Sequence, residues 1–204
     1  MPNLESIIIK TREKIQKHRD NFQKNEQNVR SAIIDPILKS IGWDTGNLEL
    51  VDANESNELG YPDYTLKKRK KPVLIIEAKR MGIEIGRSED LGQLGKYCME
   101  KGVDFGVVTN GSKWSLFKAF EKRDKLTDSI LWTVDLEQDD FEIIIDMLES
   151  ISRTTKENLE DSAKKLQRKI KNQNSNAANP KPGLSALFAR SIRLLPLCHA
   201  PPSG

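Results

Sequence analysis

Val73-Leu74-Ile75-Ile76 is an uninterrupted apolar run that ends in Glu77-Ala78-Lys79. A run this short, rich in β-branched residues, reads as a strand from Val73 to Ala78 that is buried on both faces. Pro72 stands at its entry, where a missing N–H does least harm. Such a strand needs partners along its edges and cover on both faces. The chain is thereby committed to a central sheet with helices packed against it. Because side chains alternate along a strand, Glu77 and Lys79 share one face. Buried there, the two charges are costly unless they meet each other, another charge or a metal.

The rest of the chain supplies the partners. A charged helix is predicted from Leu4 to Asp20. Asn25 is the expected N-cap of a second helix, Glu26 to Ile41, whose Val29, Ile33, Ile37 and Ile41 recur at helical spacing. Pro36 lies inside that pattern and predicts a kink or break. Gly42 closes the helix, with Trp43 packed beside it. A short strand is expected at Leu48 to Val51, an acidic loop from Asp52 to Gly60, and a strand from Tyr61 to Leu66. A basic turn, Lys67 to Lys71, joins that strand to Val73–Ala78 as a hairpin. After a glycine-containing connection at residues 80 to 88, a helix is expected from Glu89 to Lys101. Strands follow at Phe105 to Thr109 and Lys113 to Phe117, around the hairpin signal Asn110-Gly111. A further strand, Ile130 to Asp135, and a helix, Phe141 to Ile151, complete a mixed central β-sheet flanked by helices, an α/β or α+β domain over residues 1–151. Residues 152–172 read as a charged helical extension, and 173–204 as a flexible linker and tail.

Composition bounds the function. The 204 residues are 37% hydrophobic and 31% charged, with a net charge of +3, as in a globular protein and unlike a disordered one. That charge permits nucleic-acid binding without arguing for it. Cys98 and Cys198 are far apart and His18 and His199 stand alone, so neither a zinc site nor a disulfide framework is expected. No apolar h-region opens the chain, and no run approaches the ~20 residues of a membrane span. A reducing cytoplasm is the expected location.

The chemistry is concentrated in one hairpin. Its first strand carries Asp63 behind Pro62, and its second carries Glu77 and Lys79. Phosphodiester hydrolysis needs such a set: hard oxygen ligands for Mg²⁺ or Mn²⁺, and a cation beside the attacking water. Asp63 and Glu77 are candidate ligands, with the Ala78 carbonyl as a third. Lys79 would position the water or neutralise developing charge.

These residues resemble the PD-(D/E)XK nuclease superfamily, with Pro62-Asp63 and Glu77-Ala78-Lys79 as its two motif halves. Within it, the chain resembles the N-terminal nuclease domain of type I restriction enzyme R subunits. Asn25-Glu26 through Arg30, with Asp35-Pro36-Ile37-Leu38 and Gly42-Trp43, looks like that family's opening helix. Gln93 and Tyr97 match its QxxxY motif, and Gly106 to Gly111 with Trp114 its following hairpin. The resemblance covers roughly residues 20 to 120. It implies a restriction-endonuclease-like fold and a fourth catalytic residue, Glu26. It implies DNA as substrate, contacted by Gln93 and Tyr97, with Arg80 and Arg87 better placed for DNA than the basic turn. Restriction–modification or helicase subunits, and a second copy of the chain, are candidate partners. No Walker A sequence occurs in these residues, so no ATPase motor is expected in them.

Each residue also has a plainer explanation. Asp63, Glu77 and Lys79 could form a structural ion network, and Glu26 could sit where a helix macrodipole favours an acid. Gln93 and Tyr97 could be a polar pair on one helix face. Lys67 to Lys71 reads best as a solvated turn, and Trp114 and Phe117 as core. Two functions follow: a Mg²⁺-dependent DNA endonuclease, or a catalytically silent DNA-binding or assembly module of the same fold. The intact Asp63/Glu77/Lys79 set favours the enzyme, since a decayed site would be expected to lose one of these costly charges.

Overall fold

The computed structural model describes residues 3–53, 60–119 and 125–155, with Leu159, Asp161, Ser162, Lys165 and Arg168 beyond them. Most of the acidic loop expected before Gly60, nearly all of the charged extension and the whole tail therefore lie outside the described residues. Strands β1 (Val51–Ala53), β2 (Tyr64–Lys68), β3 (Lys71–Ala78), β4 (Phe105–Thr109), β5 (Lys113–Lys118) and β6 (Ile130–Asp135) form one sheet in chain order. All neighbours are antiparallel except β3 and β4, which run parallel, as the mixed-sheet expectation requires. That parallel step needs a crossover, and the helix α4 (Ser88–Lys101) makes it.

The sheet has two covered faces. Leu66, Leu74, Ile76, Val107, Trp114, Leu116 and Val134 point into one core with helices α1 (Leu4–Lys24), α2 (Glu26–Val29), α3 (Asp35–Ser40) and α5 (Phe141–Ser150). Ile75, Val108 and Phe117 point the other way, against Leu91, Leu94, Tyr97 and Cys98 of α4. The alternation of Leu74, Ile75 and Ile76 between the two cores is why β3 is apolar on both faces. Gly106 marks the closest approach of α4: a Cβ there would sit 2.4 Å from the Phe117 ring and 2.8 Å from Leu94.

Most elements fall where the sequence places them, and the departures have local causes. The first helix runs on to Lys24 across a kink at His18, where φ is −128° and ψ 24°, and Asn25 caps two helices at once. Its main-chain N–H bonds to Asn21, and its side chain accepts from the N–H of Asn28 at 3.3 Å. The break expected at Pro36 takes the form of a π-helical turn, Arg30–Ile34, just ahead of it, which separates the short helix α2 from α3, and α3 begins with the proline in its first turn. Pro36 has no N–H for the Ala32 carbonyl, and the Lys14 ammonium takes that carbonyl at 2.9 Å. The strand expected at Leu48 begins only at Val51, because Leu48 to Leu50 are held in a turn on Asn47. β2 likewise starts at Tyr64 and leaves Tyr61 to Asp63 outside the ladder. The hairpin after β4 turns over three residues. The Thr109 hydroxyl accepts from Gly111 and the Asn110 side chain accepts from Lys113. Gly111, at φ +84°, leaves no room for a Cβ, which would meet Val29 at 2.7 Å. The turn is thus seated against the helix that carries Glu26 and Arg30.

Candidate active site

The β2–β3 hairpin opens at one end, and four of the expected residues meet there. Asp63 precedes β2 and is fully buried, as is Glu77 near the end of β3. The Ala78 N–H donates to Asp63 Oδ2 at 2.7 Å, tying the two strand ends together through a side chain. Lys79 follows the strand. Its main-chain N–H donates to Thr109 at 2.8 Å, so β4 fixes its position. Its ammonium donates to Glu77 Oε1 at 2.8 Å, which confirms the same-face geometry expected from their spacing. Glu77 Oε2 is buried and has no hydrogen-bond partner among the described residues.

Glu26 enters from the start of α2 and is half-buried. Burial and the charge of Asp63 raise its pKa, while Lys79, Arg30 and Arg80 pull it down. Burial is also the main reason that the Glu77 carboxyl is pushed up to about 7, with Asp63 and Glu26 adding repulsion and Lys79 relieving part of it. Burial works against the Lys79 charge, yet the bond to Glu77 and the fields of Glu77, Glu26 and Asp90 outweigh it and hold the ammonium above the usual lysine range. Asp63, Glu77, Lys79 and Glu26 are therefore one electrostatic unit. A carboxylate poised near neutrality among such neighbours is what a site for proton or cation chemistry requires.

The other expected residues divide. Arg80 is exposed and lies within the field of Glu26. Arg87 caps α4 and pairs with Asp90 at 3.6 Å. On the same helix, Gln93 donates to the Tyr97 hydroxyl at 3.0 Å, with Gln93 exposed and Tyr97 buried. Trp114 and Phe117 are core residues, as expected.

Two residues of the site were not singled out from the sequence. Arg30 is 6% exposed and donates to Asp63 Oδ1 at 3.1 Å and to the Asp63 main-chain oxygen at 3.3 Å. It lies one helical turn after Glu26, a same-face spacing that could have found it. Asp90 is also 6% exposed, and its charge reaches Lys79. It precedes Gln93 and Tyr97 at helical spacing on α4.

A hard divalent cation suits these donors. The orphaned Glu77 oxygen, the buried Asp63 carboxylate and the nearby Ala78 main chain offer oxygen only, and Mg²⁺ needs no more than one or two carboxylates beside its waters. Among the described residues, no three acidic, histidine or cysteine side chains close into one cluster. The carboxylates lie within each other's fields, and Asp63 is turned toward Arg30 and the Ala78 amide.

A family model, the type I restriction enzyme R protein N terminus, matches residues 25–148. The chain belongs to that family. The match runs from α2 into α5 and includes all the residues gathered at the open end of the hairpin. No curated protein matches the chain. Among solved structures, the type IIG restriction endonuclease BpuSI matches at 16% identity and a TM-score of 0.39. That match covers 71% of this chain but only 16% of the enzyme's length, a likeness too slight to carry an argument. Among the described residues of this restriction-subunit relative, no helix is long and apolar enough to cross a membrane.

Proposed function

We propose that this chain is a Mg²⁺-dependent DNA endonuclease domain of the PD-(D/E)XK kind, acting in a restriction system. The observation that carries the reading is the buried, unpartnered oxygen of Glu77 amid Asp63, Glu26 and Lys79. A carboxylate oxygen without a donor in the interior is costly, and a divalent cation is the partner that would offset it. Asp63, Glu77 and the Ala78 carbonyl would hold Mg²⁺ or Mn²⁺. When bound, the metal would supply Lewis acidity at the phosphoryl oxygens and an acidified water.

The chain's own groups do the remaining work. The Lys79 ammonium, held on Glu77, would orient the attacking water and neutralise charge that grows on the phosphate. Glu26 faces the same charges from α2 and can accept a proton from that water or hold it through a hydrogen bond. Arg80, exposed beside the site, and Gln93 with Tyr97 would contact the DNA backbone, where contacts fix register and not sequence. Arg87 is engaged by Asp90, so its part in DNA binding would be the weaker one.

The test is cleavage of plasmid and linear DNA with Mg²⁺ or Mn²⁺, beside Lys79→Ala and Asp63→Ala. The reading stands if the wild type cuts and both folded variants fail. Metal binding at Asp63 without cleavage would point to a nuclease that needs a restriction or helicase subunit. Neither metal binding nor cleavage would favour a silent DNA-binding or assembly module.

A further inference from the structure

We propose that Arg30 is a positioning residue that sets the orientation of the Asp63 carboxylate, and that it does so by its planar fork and not merely by its charge. The proposal rests on the nuclease reading above for its catalytic meaning. Its structural content stands on four contacts. One Arg30 nitrogen, Nη1, donates to Asp63 Oδ1 at 3.1 Å, and Nη2 donates to the Asp63 main-chain oxygen at 3.3 Å. Nε faces the Tyr64 hydroxyl at 3.4 Å, and the guanidinium lies over the Tyr64 ring at 4.8 Å. The Tyr64 hydroxyl in turn donates to Asp35 Oδ1 at 3.0 Å.

Asp63 stands just before β2, at the open end of the hairpin. Arg30 holds its main chain and one carboxylate oxygen together, while the Ala78 amide holds the other oxygen. Held through both oxygens, the carboxylate has its plane set by these two donors, and Arg30 is the side chain of the pair.

The π-helical turn begins at Arg30, and the Asp35 N–H bonds back to the Arg30 carbonyl, five residues away. Across the widened turn, Arg30 and Asp35 both reach the Tyr64 hydroxyl while Ile33, Ile34, Ile37 and Leu38 all stay buried. Single π turns of this kind concentrate at functional sites. A lysine could supply the charge, but not donors to a side chain, a main chain and a hydroxyl in one plane.

The test compares Arg30→Lys, Arg30→Met and Tyr64→Phe with the wild type, each checked for folding by circular dichroism. The first readout is the Ala78 amide proton resonance, which reports its bond to Asp63 Oδ2. The second is Mn²⁺ affinity, and the third is kcat against KM for DNA cleavage. Arg30→Lys should shift the Ala78 resonance, weaken Mn²⁺ binding roughly 10-fold and lower kcat with little change in KM, as loss of an outer partner of a metal ligand does. Arg30→Met should be at least as severe, and Tyr64→Phe milder. Wild-type behaviour of Arg30→Lys would overturn the proposal, because charge alone would then suffice. Tighter Mn²⁺ binding by Arg30→Met would also overturn it, since the guanidinium would then be competing with the cation. If the wild type neither binds Mn²⁺ nor cleaves, the nuclease reading falls. The Ala78 resonance then decides the inference alone: a shift in Arg30→Lys sustains it, and an unmoved resonance overturns it.

Discussion

The β2–β3 hairpin has charges at both ends, and the two ends behave oppositely. At the closed end, Arg69 and Lys70 make a two-residue turn with φ of 51° and 64°, and Arg69, Lys70 and Lys71 are exposed. At the open end, Asp63 and Glu77 are buried, and their charges are met by Arg30, Lys79 and a main-chain amide. The closed end has charge of one sign left in solvent, and the open end has charges of both signs brought together in the interior. Exposed charges are screened and cheap to keep, whereas buried ones persist only where partners converge on them. Convergence, not charge density, marks the site.

Four substitutions sharpen this contrast. The largest effect is expected from Lys79→Ala, which should lower the rate of DNA cleavage by at least about 100-fold in a single-turnover assay. A comparable loss on removing the closed-end charges would place the chemistry at the wrong end. Next comes Asp63→Ala. It strands a buried guanidinium, so urea unfolding should show a loss of about 3–5 kcal/mol. A loss under about 1 kcal/mol would mean that Arg30 finds other partners. Third, Glu77 makes stability depend on pH. Its folded pKa of about 7 lies above the ordinary 4.5, so the folded state binds this proton more tightly than the unfolded state. The resulting stabilisation is full below pH 4.5 and is lost as pH rises through about 7. With EDTA present, Glu77→Gln should therefore raise Tm at pH 8 and change it little near pH 4.5. A fall in Tm at pH 8 would show that the ionised form is the favoured one. The smallest effect belongs to the closed end: Arg69→Gly relieves a left-handed residue at some cost in chain entropy. A net gain of roughly 0.5 kcal/mol is expected, with cleavage within about twofold of wild type.

Local pattern was enough for much of this protein. The doubly buried strand at Val73–Ala78, the crossover helix of α4 and the hairpin at Asn110-Gly111 follow from periodicity and turn chemistry, which act between residues close in sequence. The same-face pairing of Glu77 and Lys79 follows from the strand period, and the structure shows them in contact. The position of Asp63 opposite them follows from hairpin register. Strand starts were less legible. Val51 and Tyr64 begin their strands only where a partner is present, and neither Asn47's hold on the turn before β1 nor the bend at Asp63 is written in propensity.

Tertiary structure alone decided the electrostatics. Nothing local says that Pro36 would be answered by a π-helical turn and a lysine from α1, or that this turn would aim Arg30 at Asp63. Nor does spacing reveal that Asp90 on α4 adds its field to Lys79, or that one oxygen of Glu77 would be left without a partner. Those outcomes depend on burial, and burial is settled by which elements pack together. Side-chain types and their faces are properties of the chain; the pKa of Glu77 and the orientation of Asp63 are properties of the packed core around them.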